Sequence, residues 1–232
     1  MNKRAVLAGV LVFVVALTLR LAYVEQEHRV LDLDVSQLTQ TDNHVFAAWA
    51  RIIAAGDLLC REQPHAYHHW TKLVAPEGRW LEWYGGAQTY HQSPLYPYLV
   101  AAVFAVMGDE HLMVARAQAL LSSLTCLLTF LLGYRLLGLR GGIVAGLLLA
   151  LTGGYVFYDA FLLRDGPMAF FVVVLALGLD HAVRRRSAAA WFLAGASLGL
   201  FTLVKETGPP LVLLTLAGLA YAYRRSPATL AR

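Results

Sequence analysis

Pro94-Leu-Tyr-Pro-Tyr-Leu-Val-Ala-Ala-Val-Phe-Ala-Val-Met107 is apolar from end to end, yet it is short and contains Pro94 and Pro97. A helix needs about 20 residues to cross the hydrocarbon core, whereas apolar runs of about 10 to 14 suit a re-entrant or interfacial helix. Whether this run crosses the membrane sets the side of every segment that follows it.

Around it lie six longer apolar runs: Ala5 to Val24, Met113 to Tyr134, Gly141 to Tyr158, Gly166 to Val183, Ala188 to Val204 and Pro209 to Tyr223. Each is of spanning or near-spanning length. If Pro94 to Met107 does not cross, Lys3, Arg4, Arg135, Arg140, the Arg184 to Arg186 triplet, Arg224 and Arg225 all share the side of the N-terminus. The positive-inside rule assigns that side to the cytoplasm and leaves only Arg164 and Lys205 in the short outer loops. If the run crosses, the Arg triplet falls outside. The non-crossing arrangement is therefore expected, in a plasma or inner membrane with the N-terminus cytoplasmic. The extracytoplasmic face would then hold Glu25 to about His111, Asp159 to Asp165, and Lys205 to Gly208.

Composition agrees with a membrane protein. Hydrophobic residues are 58% of the chain and charged residues 15%, and mean hydropathy is +0.55, too apolar for an ordinary soluble domain of this length. The expected fold is all-α, a polytopic transmembrane helix bundle forming a single membrane domain over residues 1–232. Residues 1–24 give the first span, 25–111 an outer loop with amphipathic juxtamembrane helices, and 112–232 five further spans. Ala5 to Val24 follows Lys3-Arg4 and has no Ala-x-Ala type site before Glu25, so it reads as an uncleaved anchor. The net charge of +4 does not point to nucleic acid, because the basic residues flank apolar ends and form no soluble basic face. Cys60 lies in the polar stretch and Cys126 inside an apolar run, so no disulfide is expected between them. Gly141, Gly142, Gly146, Gly195 and Gly199 allow helices to approach closely, and Gly195-Ala-Ser-Leu-Gly199 fits the small-xxx-small pattern.

The stretch Glu25 to Ser93 is longer than a simple connection and holds Trp49, Trp70, Trp80 and Trp83. Within it, Val45, Phe46, Trp49, Ile52 and Ile53 recur at helical spacing, with Asn43, His44 and Arg51 off the stripe and Gly56 closing it. This predicts an amphipathic helix on the membrane with Asp42 at its N-terminus, where a carboxylate caps free backbone N–H groups. Capping alone is a sufficient reason for an Asp there. The second acidic site, Tyr158-Asp159-Ala-Phe-Leu-Leu-Arg164-Asp165-Gly-Pro, is a tight outer turn whose charges either line a cavity or pair with each other or with headgroups. The third, Lys205-Glu206-Thr207-Gly208-Pro209-Pro210, opens the last helix with prolines where they are tolerated, and a snorkelling lysine is its plain reading.

Asp42, Asp165 and Lys205 on one face would supply a base, a second carboxylate and a cation. Such a set can deprotonate a hydroxyl, orient reactants and stabilise a phosphate leaving group. No cofactor is expected. His65, His68 and His69, with His91 as a distant fourth ligand, have a spacing compatible with a divalent metal but lack a carboxylate to complete it. Tyr67, Trp70, Trp80, Trp83, Tyr84 and Tyr90 suit an interfacial aromatic belt or a sugar-stacking surface.

The order of these pieces resembles the GT-C fold glycosyltransferases that use a polyprenyl-phosphate sugar donor, the dolichyl-phosphate-mannose transferase and aminoarabinose transferase-like group. The residues carrying the resemblance are Asp42 with the helix to Gly56, His91-Gln-Ser-Pro-Leu-Tyr-Pro97, Ala115-Arg116, Gly133-Tyr-Arg-Leu-Leu-Gly-Leu-Arg140, Tyr158 through Asp165, and Leu203-Val-Lys205. The resemblance implies that Asp42 is the catalytic base or acceptor anchor, Asp165 the acid of the second outer loop, and Lys205 a contact for the lipid phosphate. Arg164, His91 and Tyr96 fall in the same motifs as substrate-binding candidates. Asn43 stands where the family often has a second acid. The implied partners are membrane lipid, a polyprenyl-phosphate sugar donor and a glycan, lipid or protein acceptor. Family members are generally longer, so the chain reads as the N-terminal half. The competing class is a non-catalytic lipid-binding or assembly subunit, or an inactive fragment. A transporter would carry polar residues or broken helices near mid-membrane, where this sequence is mostly Leu, Val, Ala, Phe and Gly.

Overall fold

The structure, a computed structural model, describes residues 2–31, 41–61, 76, 79, 92–185 and 187–225. All regular structure among them is helical, as the apolar periodicity requires: α1 (Lys3–Leu31), α2 (Asp42–Ala54), α3 (Leu95–Met107), α4 (His111–Leu151), α5 (Gly153–Tyr158), α6 (Asp165–Arg185), α7 (Ala188–Val204) and α8 (Gly208–Arg225). The chain carries apolar helices with apolar outer faces: Leu7 is 71% exposed, Phe192 74% and Leu214 70%. So much outward Leu and Phe is stable only against lipid.

Lys3–Val30, His111–Leu151 and Asp165–Arg184 are long and apolar enough to cross a membrane, whereas Leu95–Met107, Ala188–Val204 and Gly208–Tyr221 are shorter apolar helices. The long α4 contains two of the expected runs. At Gly138 the backbone takes φ 74 and ψ −171, a conformation open to glycine and costly for other residues, and the helix folds back on itself. A Cβ on Gly133 would lie 3.1 Å from the Cα of Gly142, and one on Gly146 would lie 2.9 Å from the Cβ of Phe130. Small residues therefore let the two arms touch backbone to backbone. α1 packs along both, with Val12 and Ala16 buried against Cys126, Phe130 and Ala150.

Several boundaries differ from the sequence reading. α1 does not stop at Val24 but continues to Leu31, about 10 Å further, and within this extension Glu25 pairs with Arg116 at 2.6 Å. The run Gly141 to Tyr158 is not one helix: Thr152 is extended, at φ −69 and ψ 102, and α5 starts afresh after it. The Gly195 and Gly199 positions meet nothing within 4 Å, so the expected small-residue contact is not made there. α7 instead buries Ala190, Ala194, Ser197 and Phe201, with Gly178 of α6 set against Ala194.

α2 and α3 form a layer of their own. Phe46, Trp49, Tyr96, Val100, Phe104, Val114 and Leu162 share one buried cluster, and Phe46 meets Tyr96 edge to face at 5.0 Å. The amphipathic stripe of α2 is real, but it faces α3 rather than lipid alone. α3 begins beside Gln118 and exits to His111, positions about 10 Å apart along α4. Cys60 and Cys126 are both buried free thiols, as expected for one in the polar stretch and one inside an apolar run.

Candidate functional site

The turn from Asp159 to Arg164 is held from every side by polar groups. Its Asp159 carboxylate lies 2.9 Å from Arg20 Nε, with both side chains buried, and Ser122 Oγ donates to the other carboxylate oxygen at 2.6 Å. The Arg20 guanidinium also donates to the carbonyls of Ala16 and Ala150, each at 3.3 Å, and sits over the Tyr155 ring at 5.1 Å. A lone charge in the first span is costly, and this pairing accounts for it. Burial pushes the Asp159 carboxyl up, while the Ser122 hydroxyl and the Arg20 guanidinium pull it back.

The backbone of the same turn is claimed next. Gln118 Nε2 donates to the carbonyls of Asp159 (3.1 Å) and Phe161 (2.7 Å), and its Oε1 accepts from Tyr96 Oη at 2.6 Å. His111 Nε2 lies 2.8 Å from the Ala160 carbonyl, which can only accept, so that nitrogen is the donor. The Leu162 N–H donates to Asn43 Oδ1 at 2.7 Å. Three consecutive carbonyls and one N–H are thus fixed by side chains from α2 and α4, with α3 joined through Tyr96. Burial, reinforced by the Asp165 carboxylate, raises the Tyr96 phenol well above its ordinary value, so it remains a donor.

Arg164 extends this assembly to the third turn. Its Nη1 lies 2.6 Å from Glu206 Oε1 and its guanidinium carbon lies 5.2 Å from the centre of the Phe46 ring. Glu206 also accepts from the Ser93 N–H at 2.9 Å, and Ser93 Oγ donates to the Thr202 carbonyl at 3.3 Å. Burial acts to raise the Glu206 carboxyl, but the hydrogen bonds from backbone N–H groups and the Arg164 guanidinium outweigh it and bring it down to about 2. Glu206 is therefore a carboxylate at any physiological pH, and it joins the entry to α3, the 159–164 turn and the entry to α8.

The residues expected at the site stand around this hub. Asp42 is exposed and is the first residue of α2; Thr41, not Asp42, is the N-cap, and it makes no side-chain capping hydrogen bond. The expected capping role is therefore not seen, although a carboxylate in the first turn still complements the helix dipole. Its neighbour Asn43, expected off the apolar stripe, is 6% exposed and points inward to Leu162. Asp165 opens α6 half-buried. A Cβ on the adjacent Gly166 would lie 3.3 Å from Ser122 Oγ and 3.7 Å from Asp159 Oδ1, so the helix start approaches the buried pair closely. Lys205 is the C-cap of α7 and half-buried, where a cation complements the helix C-terminus. Tyr96 is 1% exposed with its hydroxyl given to Gln118. Its ring instead walls an apolar cavity of about 210 Å³, shared with Leu99, Val103, Leu121 and Pro167.

His91, the His65, His68 and His69 set and the aromatics Tyr67, Trp70, Trp80, Trp83, Tyr84 and Tyr90 lie outside the described residues. Among the described residues no group of His, Cys, Asp and Glu could hold a metal. Sequence reading missed Arg20, Asn43, Gln118, Ser122 and Glu206 as organisers. Arg20 carried a signal as the charge interrupting the first apolar run, and Asn43 and Glu206 stood within motifs already singled out, whereas Gln118 and Ser122 were not distinguished.

No curated protein and no solved structure matches the chain. The match to a family covers α3 to α8 and begins just before the Ser93–Glu206 contact, so Asp42 and α1 fall before it. Residues 91–229 match the model of the dolichyl-phosphate-mannose-protein mannosyltransferase family, and with more than half of its length so matched the chain belongs to that family of membrane glycosyltransferases.

Proposed function

We propose that the chain transfers a sugar from a polyprenyl-phosphate donor to a hydroxyl-bearing glycan, lipid or protein acceptor, at the extracytoplasmic face. The observation that supports this reading is the Arg164–Glu206–Ser93 junction, which ties the turn leading to Asp165 to the turn bearing Lys205 and to the entry of α3, while Asn43, next to Asp42, bonds the same 159–164 turn at Leu162. In this reading α3 lies along the outer face without crossing, the N-terminus is cytoplasmic, and the 1–232 chain is one membrane domain.

Asp42 accepts the acceptor proton as the new C–O bond forms at the anomeric carbon. The bond from that carbon to the donor phosphate oxygen breaks, and the electron pair leaves with the polyprenyl phosphate. Lys205 balances the charge that builds on that phosphate, aided by the guanidinium face of Arg164 not used by Glu206. Asp165, at the positive end of α6, orients the sugar or acceptor hydroxyls. His91 is a further candidate for substrate binding. The cavity walled by Tyr96 and Pro167 directly beneath takes the start of the lipid chain, which suits its apolar lining.

The test is transfer activity of Asp42→Asn and Lys205→Ala in membranes carrying donor lipid. Loss of one general base is expected to lower turnover by about 100-fold or more, with Asp42→Asn still binding donor. Full transfer by Asp42→Asn overturns the base assignment, and donor binding without transfer by the wild-type chain under every acceptor tried favours a non-catalytic lipid-binding subunit.

A further inference from the structure

At the end of the bundle away from the candidate site, two recesses share a wall. One, of about 460 Å³, is bounded by Leu128 and Leu131 of α4, Val174 and Leu177 of α6 and Leu193 of α7, and reaches Arg135 and His181. The other, of about 280 Å³, is bounded among the described residues by Arg135, Asp180, His181 and Arg184. The register explains the join. Positions 128, 131 and 135 lie on one face of α4, and 174, 177, 178, 181 and 184 on one face of α6. Each helix therefore presents an apolar stripe that ends in a cationic residue at the same level. Arg135 stands about 36 Å along α4 from His111, so this place is remote from the 159–164 turn.

Asp180 ties the mouth together. Its carboxylate takes Arg135 Nη1 at 3.4 Å and Arg184 Nε at 2.6 Å, and it is only 11% exposed, whereas Arg135 is 44% and Arg184 59% exposed. Each guanidinium carries five N–H donors, and these bonds engage one on each. The carboxylate repels an incoming anion but sits behind the two cations that face outward, which leaves the rim net positive. A cationic mouth continuous with an apolar slot complements an anionic amphiphile.

We propose that this is a binding site for an anionic glycerophospholipid, with its phosphodiester on Arg135 and Arg184 and an acyl chain between α4, α6 and α7. The site is independent of sugar transfer. Fixed guanidinium pairs match phosphate oxygens bidentately, and the slot beneath excludes a bare anion as the full ligand.

The experiment uses the whole chain in nanodiscs of phosphatidylglycerol and phosphatidylcholine with identical acyl chains, and lipid retained after extraction is counted by native mass spectrometry. Wild type is expected to retain phosphatidylglycerol over phosphatidylcholine by about tenfold. Arg135→Gln with Arg184→Gln abolishes that preference, Arg135→Lys with Arg184→Lys, which keeps the charge but not the bidentate fork, retains only part of it, and Leu193→Trp, which fills the slot, reduces retention of both lipids. Thermal midpoints check that the variants fold. Should the double Gln variant not fold, the exposed Arg184→Gln alone must lower the preference several-fold. Equal retention of the two lipids by wild type, an undiminished preference in the Gln variants, displacement of the lipid by inorganic phosphate, or a lipid-free dimer broken by Leu193→Trp would each overturn the proposal.

Discussion

Two ion pairs hang from the same turn and differ in almost everything else. Arg20–Asp159 is 0% and 1% exposed, while Arg164–Glu206 is 11% and 49% exposed. The first joins α1 to the turn inside the bundle, where Arg20 also donates to the Ala16 and Ala150 carbonyls and Asp159 accepts from Ser122. The second joins the turn to the entry of α8 at the surface, beside Phe46. A buried pair adds little net stability over apolar residues but is very costly to break, whereas an exposed one is cheap to open and reform. The inner pair therefore sets where the turn sits, and the outer pair fastens its far end to the entry of α8.

The sharpest way to break this contrast is Asp159→Ala. It leaves the Arg20 guanidinium buried and uncompensated and is expected to cost about 3–5 kcal/mol, read as a fall in the thermal midpoint of detergent-purified protein. Restoring most of that loss with Arg20→Met on top of Asp159→Leu would show that the pair's worth lies in mutual compensation. An intermediate effect is expected from Gln118→Leu, which strips partners from two turn carbonyls and from the Tyr96 hydroxyl at once. The expected loss is about 2–3 kcal/mol, and trypsin sensitivity at Arg164 should rise with it.

The smallest effect belongs to the outer pair. Glu206→Gln is expected to cost below about 1 kcal/mol, and its signature is pH. Because the folded carboxyl is lowered from 4.5 to about 2, its contribution is fully present above about pH 4.5 and is lost as pH falls through about 2. The difference between wild type and Glu206→Gln in thermal midpoint should shrink across that window and stay constant from pH 5 to 8. A constant difference down to pH 2 would show that Glu206 does not carry the junction.

How far the sequence could be read follows the same division. The bundle was legible because hydropathy is a local property: each apolar run in Met113 to Tyr134 or Gly166 to Val183 must leave water whatever its neighbours do. The side assignment was legible as an expectation from Lys and Arg counts. Asp42, Asp165 and Lys205 stood out as charges in short turns. Gly138 as a fold-back and Thr152 as a break were not distinguished from their surroundings, since glycine and threonine occur throughout the apolar helices. The Gly195 and Gly199 pair shows the reverse error, a local pattern with no partner opposite it.

The amino-acid sequence by itself determined that this chain builds apolar helices and that most of its charge lies between or at the edges of the apolar runs, because burial of apolar surface and the cost of charge in lipid act residue by residue. Only the tertiary structure decided that Arg20 answers Asp159, that Asn43 turns inward to Leu162 while Asp42 stays exposed, and that Glu206 ties Ser93 to Arg164. A hydrogen bond needs two groups within about 3 Å, and nothing in the spacing of residues 20 and 159, or of 93 and 206, specifies that they meet.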